Sequence, residues 1–226
     1  MSDSWKPVAI RWLIGLGAVL TIGCWAGAAC WYYIYSADLP NPDELARLAP
    51  VEEAAVPDTC SSQVVQAIPV SAINNNVRKA IRVESPTWPD PTDIAGSIAF
   101  ERILCGFPPA DWKLVYRGKR FANRLMRRFT SDQLLAIYLN TYRFDIKTEG
   151  IEAVSKQTFS KPASALELDE AAYIFATADK GDPTSDVSLQ RRDAYLDELA
   201  AKGLITAPEA KTLKARPGPA VFISHK

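Results

Sequence analysis

Groups that could move a proton, grip a phosphate or bind a metal are unevenly spread along this chain. Histidine occurs once, as His225, and there is no C-x-x-C or Cys/His spacing, so the residues offer no zinc site. Cys24 and Cys30 sit in an apolar run and behave as small hydrophobes, while Cys60 and Cys105 lie beyond it. Glu84 closes the run I-N-N-N-V-R-K-A-I-R-V-E, and on residue type alone it is an exposed carboxylate at a helix end. Cations concentrate further on. No acidic residue occurs between Asp111 and Asp132, where Lys113, Arg117, Arg120, Arg124 and Arg127 recur at helical spacing. Leu114, Phe121, Leu125 and Phe129 mark the other side, so the segment reads as an amphipathic helix with a basic stripe. Such a stripe is either a solvated face or a contact for phosphate, in bilayer headgroups or in a lipid pyrophosphate.

The elements that must position these groups are mostly helices. Asn74 to Asn76 offer caps for a helix with Val77, Ile81 and Glu84 spaced along one side. Asp132 to Leu139 carries Leu135, Tyr138 and Leu139 at core-facing spacing, and Gly150 to Phe159 reads as the next helix. Another begins near Leu168, with Asp169 and Glu170 in its first turn, where the helix dipole favours carboxylates, and runs to about Ala178. Leu189 to Lys202 is expected to end at Gly203, and Thr206 with Glu209 forms a capping box for a last short helix. Val64, Val65 and Ile68 suggest one short strand, interrupted by Pro69. The fold class expected is mostly α.

Ahead of this domain, Trp12 to Ala37 contains no charged residue. A membrane helix needs roughly 20 apolar residues, and Trp12 with Trp31, Tyr32, Tyr33 and Tyr35 supplies interfacial aromatics at the two ends. Gly23-x-x-x-Gly27 is either a packing face or chance in a glycine-rich helix. The run outlasts the roughly 7–15-residue apolar region of a signal peptide, and its exit lacks a clean A-x-A. It reads as an uncleaved anchor, with cleavage after Ala26–Ala29 as the alternative. Lys6 and Arg11 precede it and Asp38, Asp43 and Glu44 follow, so the positive-inside rule puts the N-terminus in the cytoplasm and the rest outside. The expected order is a cytoplasmic tail (1–11), a transmembrane helix (12–37), a Pro/Ala/acid-rich stalk (38–59), a folded domain (60–215) and a disordered tail (216–226). Lys+Arg and Asp+Glu are both 26. That balance argues against nucleic-acid binding, which needs a basic excess.

One stretch is more specific than its periodicity. Tyr138-Leu139-Asn140, Gly150-Ile151-Glu152-Ala153, Phe159-Ser160-Lys161 and Leu166 to Ala172 follow one another in an order that resembles the peptidoglycan glycosyltransferase (transglycosylase) family, of the family-51 type. Arg191-Arg192 and Leu204-Ile205-Thr206 extend the likeness, which covers roughly residues 73–214. The resemblance implies a lysozyme-like lobe acting on lipid II and growing glycan strands at the inner membrane, with the domain on the periplasmic side. It further implies that Glu84 is the general base, that Ser97, Glu101 and Arg102 face substrate, and that a divalent metal is possible, although the residues themselves indicate no cofactor.

The first half departs from the family pattern. Ser85 and Pro91 stand where the family has Asp and His; Glu101 and Arg102 replace two glutamines, and Cys105 a lysine. Counting back from Tyr138 puts Gly118 and Met126 at two glutamate positions. Two functions therefore follow: a divergent, membrane-anchored glycosyltransferase using Glu84, or a non-catalytic relative that binds glycan, lipid II or a cell-envelope protein. In an oxidising compartment Cys60 and Cys105 could pair.

Overall fold

The computed structural model describes residues 17, 20–32, 39, 42–48, 54–57, 64–104, 112–144, 148–178 and 186–219. The chain divides into two compact units, Met1–Leu39 and Pro40–Lys226. In the first, residues 20–32 are helical, with Leu20, Ile22, Trp25 and Trp31 exposed. Among the described residues no helix is long and apolar enough to cross a membrane. The expected span over 12–37 lies partly outside them, as do both Cys60 and Cys105.

The second unit is mostly helical. A small antiparallel sheet pairs β1 (Ala54–Pro57) with β2 (Val64–Ala67). Among the described residues eight α-helices follow: α1 (Asn75–Glu84), α2 (Thr92–Leu104), α3 (Trp112–Arg128), α4 (Ser131–Thr141), α5 (Ile151–Phe159), α6 (Leu168–Thr177), α7 (Asp186–Ala201) and α8 (Ala207–Lys214). Residues placed in a stalk by their composition carry structure here. Pro42–Leu48 forms a 3-10 helix against α3 and α4, where Leu45 is buried and Asp43 Oδ1 accepts from Arg128 Nε at 2.5 Å.

Two helices are wrapped on nearly every side. In α4 all residues from Leu134 to Thr141 are buried, and in α6 so are Leu168, Asp169 and Ala171 to Ala176. Helices apolar all round belong to a core. The side chains of Leu134, Leu135, Ile137 and Leu139 are fully buried, each contributing roughly 1.5–3 kcal/mol by transfer from water. Around α4 pack α2, α3 and β2; around α6 pack α1, α7 and α8; α5 touches both.

The polar residues of the signature stretch join these layers. Asn140 is fully buried and bonds the backbone of Ile68 twice: Ile68 N donates to Oδ1 at 2.9 Å, and Nδ2 donates to Ile68 O at 3.0 Å. An amide side chain thus completes the pairing that Pro69 denies to the chain beyond β2. Glu152, 2 % exposed, accepts from Ala163 N at 2.8 Å and pairs with Lys156.

Helix ends follow local chemistry. Asn74 caps α1 and Gly203, at φ +69°, follows the end of α7. Thr130/Gln133 and Thr206/Glu209 form capping boxes for α4 and α8. Gly96 and Ser97 lie inside α2, which begins four residues before Gly96. Asp90 Oδ1 accepts from Thr92 N at 3.0 Å and so ends the preceding turn there. Arg216, placed in a tail by the sequence, pairs with Glu167 and with Asp169 (3.0 Å), and Pro219 beyond it is buried.

Candidate functional site

Glu84 is the last residue of α1 and is exposed. α1 forms because Asn74 supplies its cap, with Oδ1 accepting from Val77 N at 2.9 Å, and because Val77, Ala80 and Ile81 bury one face. The Asn74 amide also donates to the carbonyls of Leu166 (2.9 Å) and Ser164 (3.0 Å), which ties the start of α1 to the segment before α6. The chain leaves α1 through a turn containing a cis Trp88–Pro89 bond and enters α2.

In α2, Asp93, Ser97 and Glu101 recur every four residues and share one face. Opposite them stands Glu84, and the space between is an open groove of about 600 Å³ that also takes in Phe100 and Tyr142. Three of the four residues expected in the site, Glu84, Ser97 and Glu101, are therefore brought together. Arg102 belongs to α2, and its side chain lies outside the described residues. Asp93 and Tyr142 were not anticipated. Asp93 was open to detection through its spacing to Ser97 and Glu101, whereas nothing local marks Tyr142, which reaches the groove from the end of α4.

The groove is acidic and rich in hydroxyl groups. Thr87 Oγ1 donates to Asp93 Oδ2 at 2.8 Å, and Ser97 Oγ donates to Asp93 O at 3.1 Å. Nearby, hydrogen bonds from the Thr92 hydroxyl and then its amide hold the Asp90 carboxyl below its ordinary range. Behind Glu84, the Tyr195 phenol is pushed up, first by burial and then by the charge of Glu84. It remains an O–H donor, and it donates to Ala80 O at 2.9 Å.

A second groove of about 450 Å³ adjoins the first and shares Thr92, Gly96 and Phe100 with it. Ala99, Val115, Gly118, Ala122 and Met126 make it largely apolar, with Lys119 as its cation. A Cβ added at Gly118 would meet nothing within 4 Å. Of the basic stripe on α3, Arg127 is exposed and Arg117, Arg120 and Arg124 are half-buried, while Phe121 and Leu125 are buried. Arg120 lies over the Tyr116 ring at 5.8 Å. A third cavity, of about 270 Å³, lies at α6 and α7 between Asp169, Tyr173, Arg192 and Pro217–Pro219. There Arg192, 3 % exposed, donates to the carbonyls of Lys214 and Arg216, both at 3.0 Å, and to Asp193. Its role is to clasp the C-terminal segment. Burial raises the Asp169 carboxyl there, with Arg216 opposing.

Among the described residues no three His, Cys, Asp or Glu side chains come together as a metal would need. The carboxylates of the first groove can accept a proton or accept hydrogen bonds from hydroxyl groups, beside an apolar wall suited to a hydrocarbon chain.

Comparison with known proteins bears on the second half of the chain. Residues 116–200 match the family model described as Transglycosylase. The chain is 34% identical over 100 residues to penicillin-binding protein 1F of Bacillus subtilis (strain 168), covering 42% of this chain and 14% of that protein. It is 36% identical over 97 residues to penicillin-binding protein 2a of Streptococcus pneumoniae serotype 2 (strain D39 / NCTC 7466), covering 39% and 13%. To penicillin-binding protein 4 of Bacillus subtilis it is 30% identical over 96 residues, covering 40% and 15%. The matched part is thus a small fraction of those relatives. The match begins after α2, so Glu84, Ser97, Glu101 and Arg102 all precede it. From within α3 through α7, over residues 116–200, this chain is similar to the transglycosylase family.

Proposed function

We propose that this protein is a peptidoglycan glycosyltransferase of the family-51 type, divergent in its site, working on lipid II and growing glycan strands. The observation that carries this reading is the convergence of Glu84, Ser97 and Glu101 on one groove. Glu84 ends α1 while Ser97 and Glu101 stand one turn apart on α2, and the groove adjoins a second one lined by the family-matched α3. In this reading Glu84 takes the proton from a sugar hydroxyl of the acceptor. The hydroxyl oxygen bonds to the anomeric carbon of the donor, whose bond to the lipid diphosphate breaks, and the diphosphate leaves with the electron pair. Ser97, Glu101 and Arg102 hold the sugars, and no step is routed through a metal. A lysozyme-like lobe, a membrane helix over residues 12–37 and an extracytoplasmic domain belong to the same proposal, supported by the charge-free run and its basic start.

A second reading is favoured by one observation. At the positions where the resemblance puts two glutamates, Gly118 and Met126 line an apolar groove. A relative that binds glycan, lipid II or an envelope protein without turnover would have this form. Lipid II polymerisation by the full chain, beside Glu84→Gln, separates the two. Turnover lost in Glu84→Gln with an unchanged melting temperature supports the enzyme. Binding of lipid II without turnover in the wild type supports the non-catalytic relative, and then Gly118→Glu, whose Cβ would meet nothing within 4 Å, is the variant expected to gain activity.

A further inference from the structure

Glu84 sits where a helix is least secure. The last four carbonyls of a helix lack partners within it, and its final turn frays unless something outside holds it. At α1 the something is α7. Tyr195 is 7 % exposed and donates its phenol hydrogen to Ala80 O at 2.9 Å, across the interface between the two helices. Seven residues further along, just past the end of α7, Lys202 Nζ donates to Val83 O at 3.3 Å and is held by Glu198 Oε1 at 2.9 Å. An ammonium at the carbonyl end of a helix is also the charge that the helix dipole favours. Together with the Ser85 amide, which donates to Ile81 O at 2.7 Å, these bonds reach the carbonyls of Ala80, Ile81 and Val83 in the turn that ends in Glu84. The start of α1 is fixed separately, by Asn74 on the carbonyls of Ser164 and Leu166.

From this geometry we infer that Tyr195 and Lys202 are positioning residues for Glu84. They set where its carboxylate stands in the groove, from the far side of α1 and without lining the groove themselves. The inference rests on the reading of Glu84 as the base. A carboxylate that must meet one hydroxyl proton loses rate steeply when displaced, because only a near-attack geometry reacts. Loss of either donor should therefore lower kcat and spare KM, since the groove walls on α2 are untouched.

The test uses the full chain in nanodiscs, with lipid II as substrate. Lys202→Met and Tyr195→Phe are each expected to lower kcat by about 10- to 100-fold, the scale of a displacement near 1 Å, with KM within about twofold. Lys202→Arg keeps a cationic donor and should recover most of the rate. Amide hydrogen exchange is the second measurement. Both variants should speed exchange in residues 81–85 and leave α6 protected, which also shows that they are folded. Wild-type kcat together with unchanged exchange at 81–85 overturns the inference, and so does a rise in KM that matches the loss in kcat. If the wild type has no turnover, the reading of Glu84 as a base fails separately. Exchange at 81–85 then decides whether α7 holds this turn: acceleration in both variants upholds the positioning, and none overturns it.

Discussion

At the scale of single residues, the side chains that carry the family resemblance prove to be joints. Asn140 substitutes for a missing strand partner at Ile68, and Glu152 receives the Ala163 amide inside the core. Truncating Asn140 to Ala leaves a buried donor and a buried acceptor of Ile68 unpaired. Each such group costs about 1–3 kcal/mol, so the urea midpoint of Asn140→Ala should fall by the equivalent of about 2–6 kcal/mol, with an unaltered slope. Gly118 gives the opposite case. It lies in α3 with open space around its absent Cβ, and Gly costs about 0.8–1 kcal/mol relative to Ala in a helix interior. Gly118→Ala should accordingly raise the melting temperature. A lower one would show that the groove wall requires the bare backbone.

Among the elements, α3 and α8 can be tested by charge. Arg124 and Arg127 make no ion pair among the described residues, while Arg128 is committed to Asp43. If the stripe meets phosphate, Arg124→Glu/Arg127→Glu in the full chain should weaken retention of lipid II on anionic nanodiscs. It should also flatten the salt dependence, because fewer screened contacts remain. Equal binding by the variant would assign the stripe to solvent. In α8, the amide and then the hydroxyl of Thr206 hold the Glu209 carboxyl below its ordinary range. Stabilisation by this box is therefore full above the unfolded value and fades as pH falls through the lowered folded one. Exchange at α8 should rise on acidification across that window, and Thr206→Ala should show the raised exchange already at neutral pH.

On the scale of the whole molecule, the compact unit runs from Pro40 and includes residues that composition assigns to a stalk. Arg192 and Arg216 draw the C-terminal segment back onto α6 and α7 at the other end. Removing residues 216–226 should thus lower the melting temperature of the full chain, as Arg216 leaves Glu167 and the buried Asp169 behind. Protease added to spheroplasts should degrade the unit beyond Asp38 while sparing a short fragment. Protection of that unit would reverse the orientation drawn from Lys6 and Arg11.

The sequence by itself determined what depends on neighbours along the chain. Asn74, Gly203 and the Thr206/Glu209 box end or start helices through contacts within a few residues, and the apolar spacing of α4 and α6 marks them as core. The order of Tyr138-Leu139-Asn140, Gly150-Ile151-Glu152 and Leu166 to Ala172 indicated the family that residues 116–200 then matched. Only the tertiary structure decided the rest. β1 exists because β2 lies beside it, and no periodicity of its own announces it. Glu84, Asp93, Glu101 and Tyr142 share a groove because α1, α2 and the end of α4 converge, and the turn bearing Glu84 is held by Tyr195, 115 residues away from Ala80. Such contacts arise from packing between distant segments, and local patterns of charge and hydrophobicity hold no record of them.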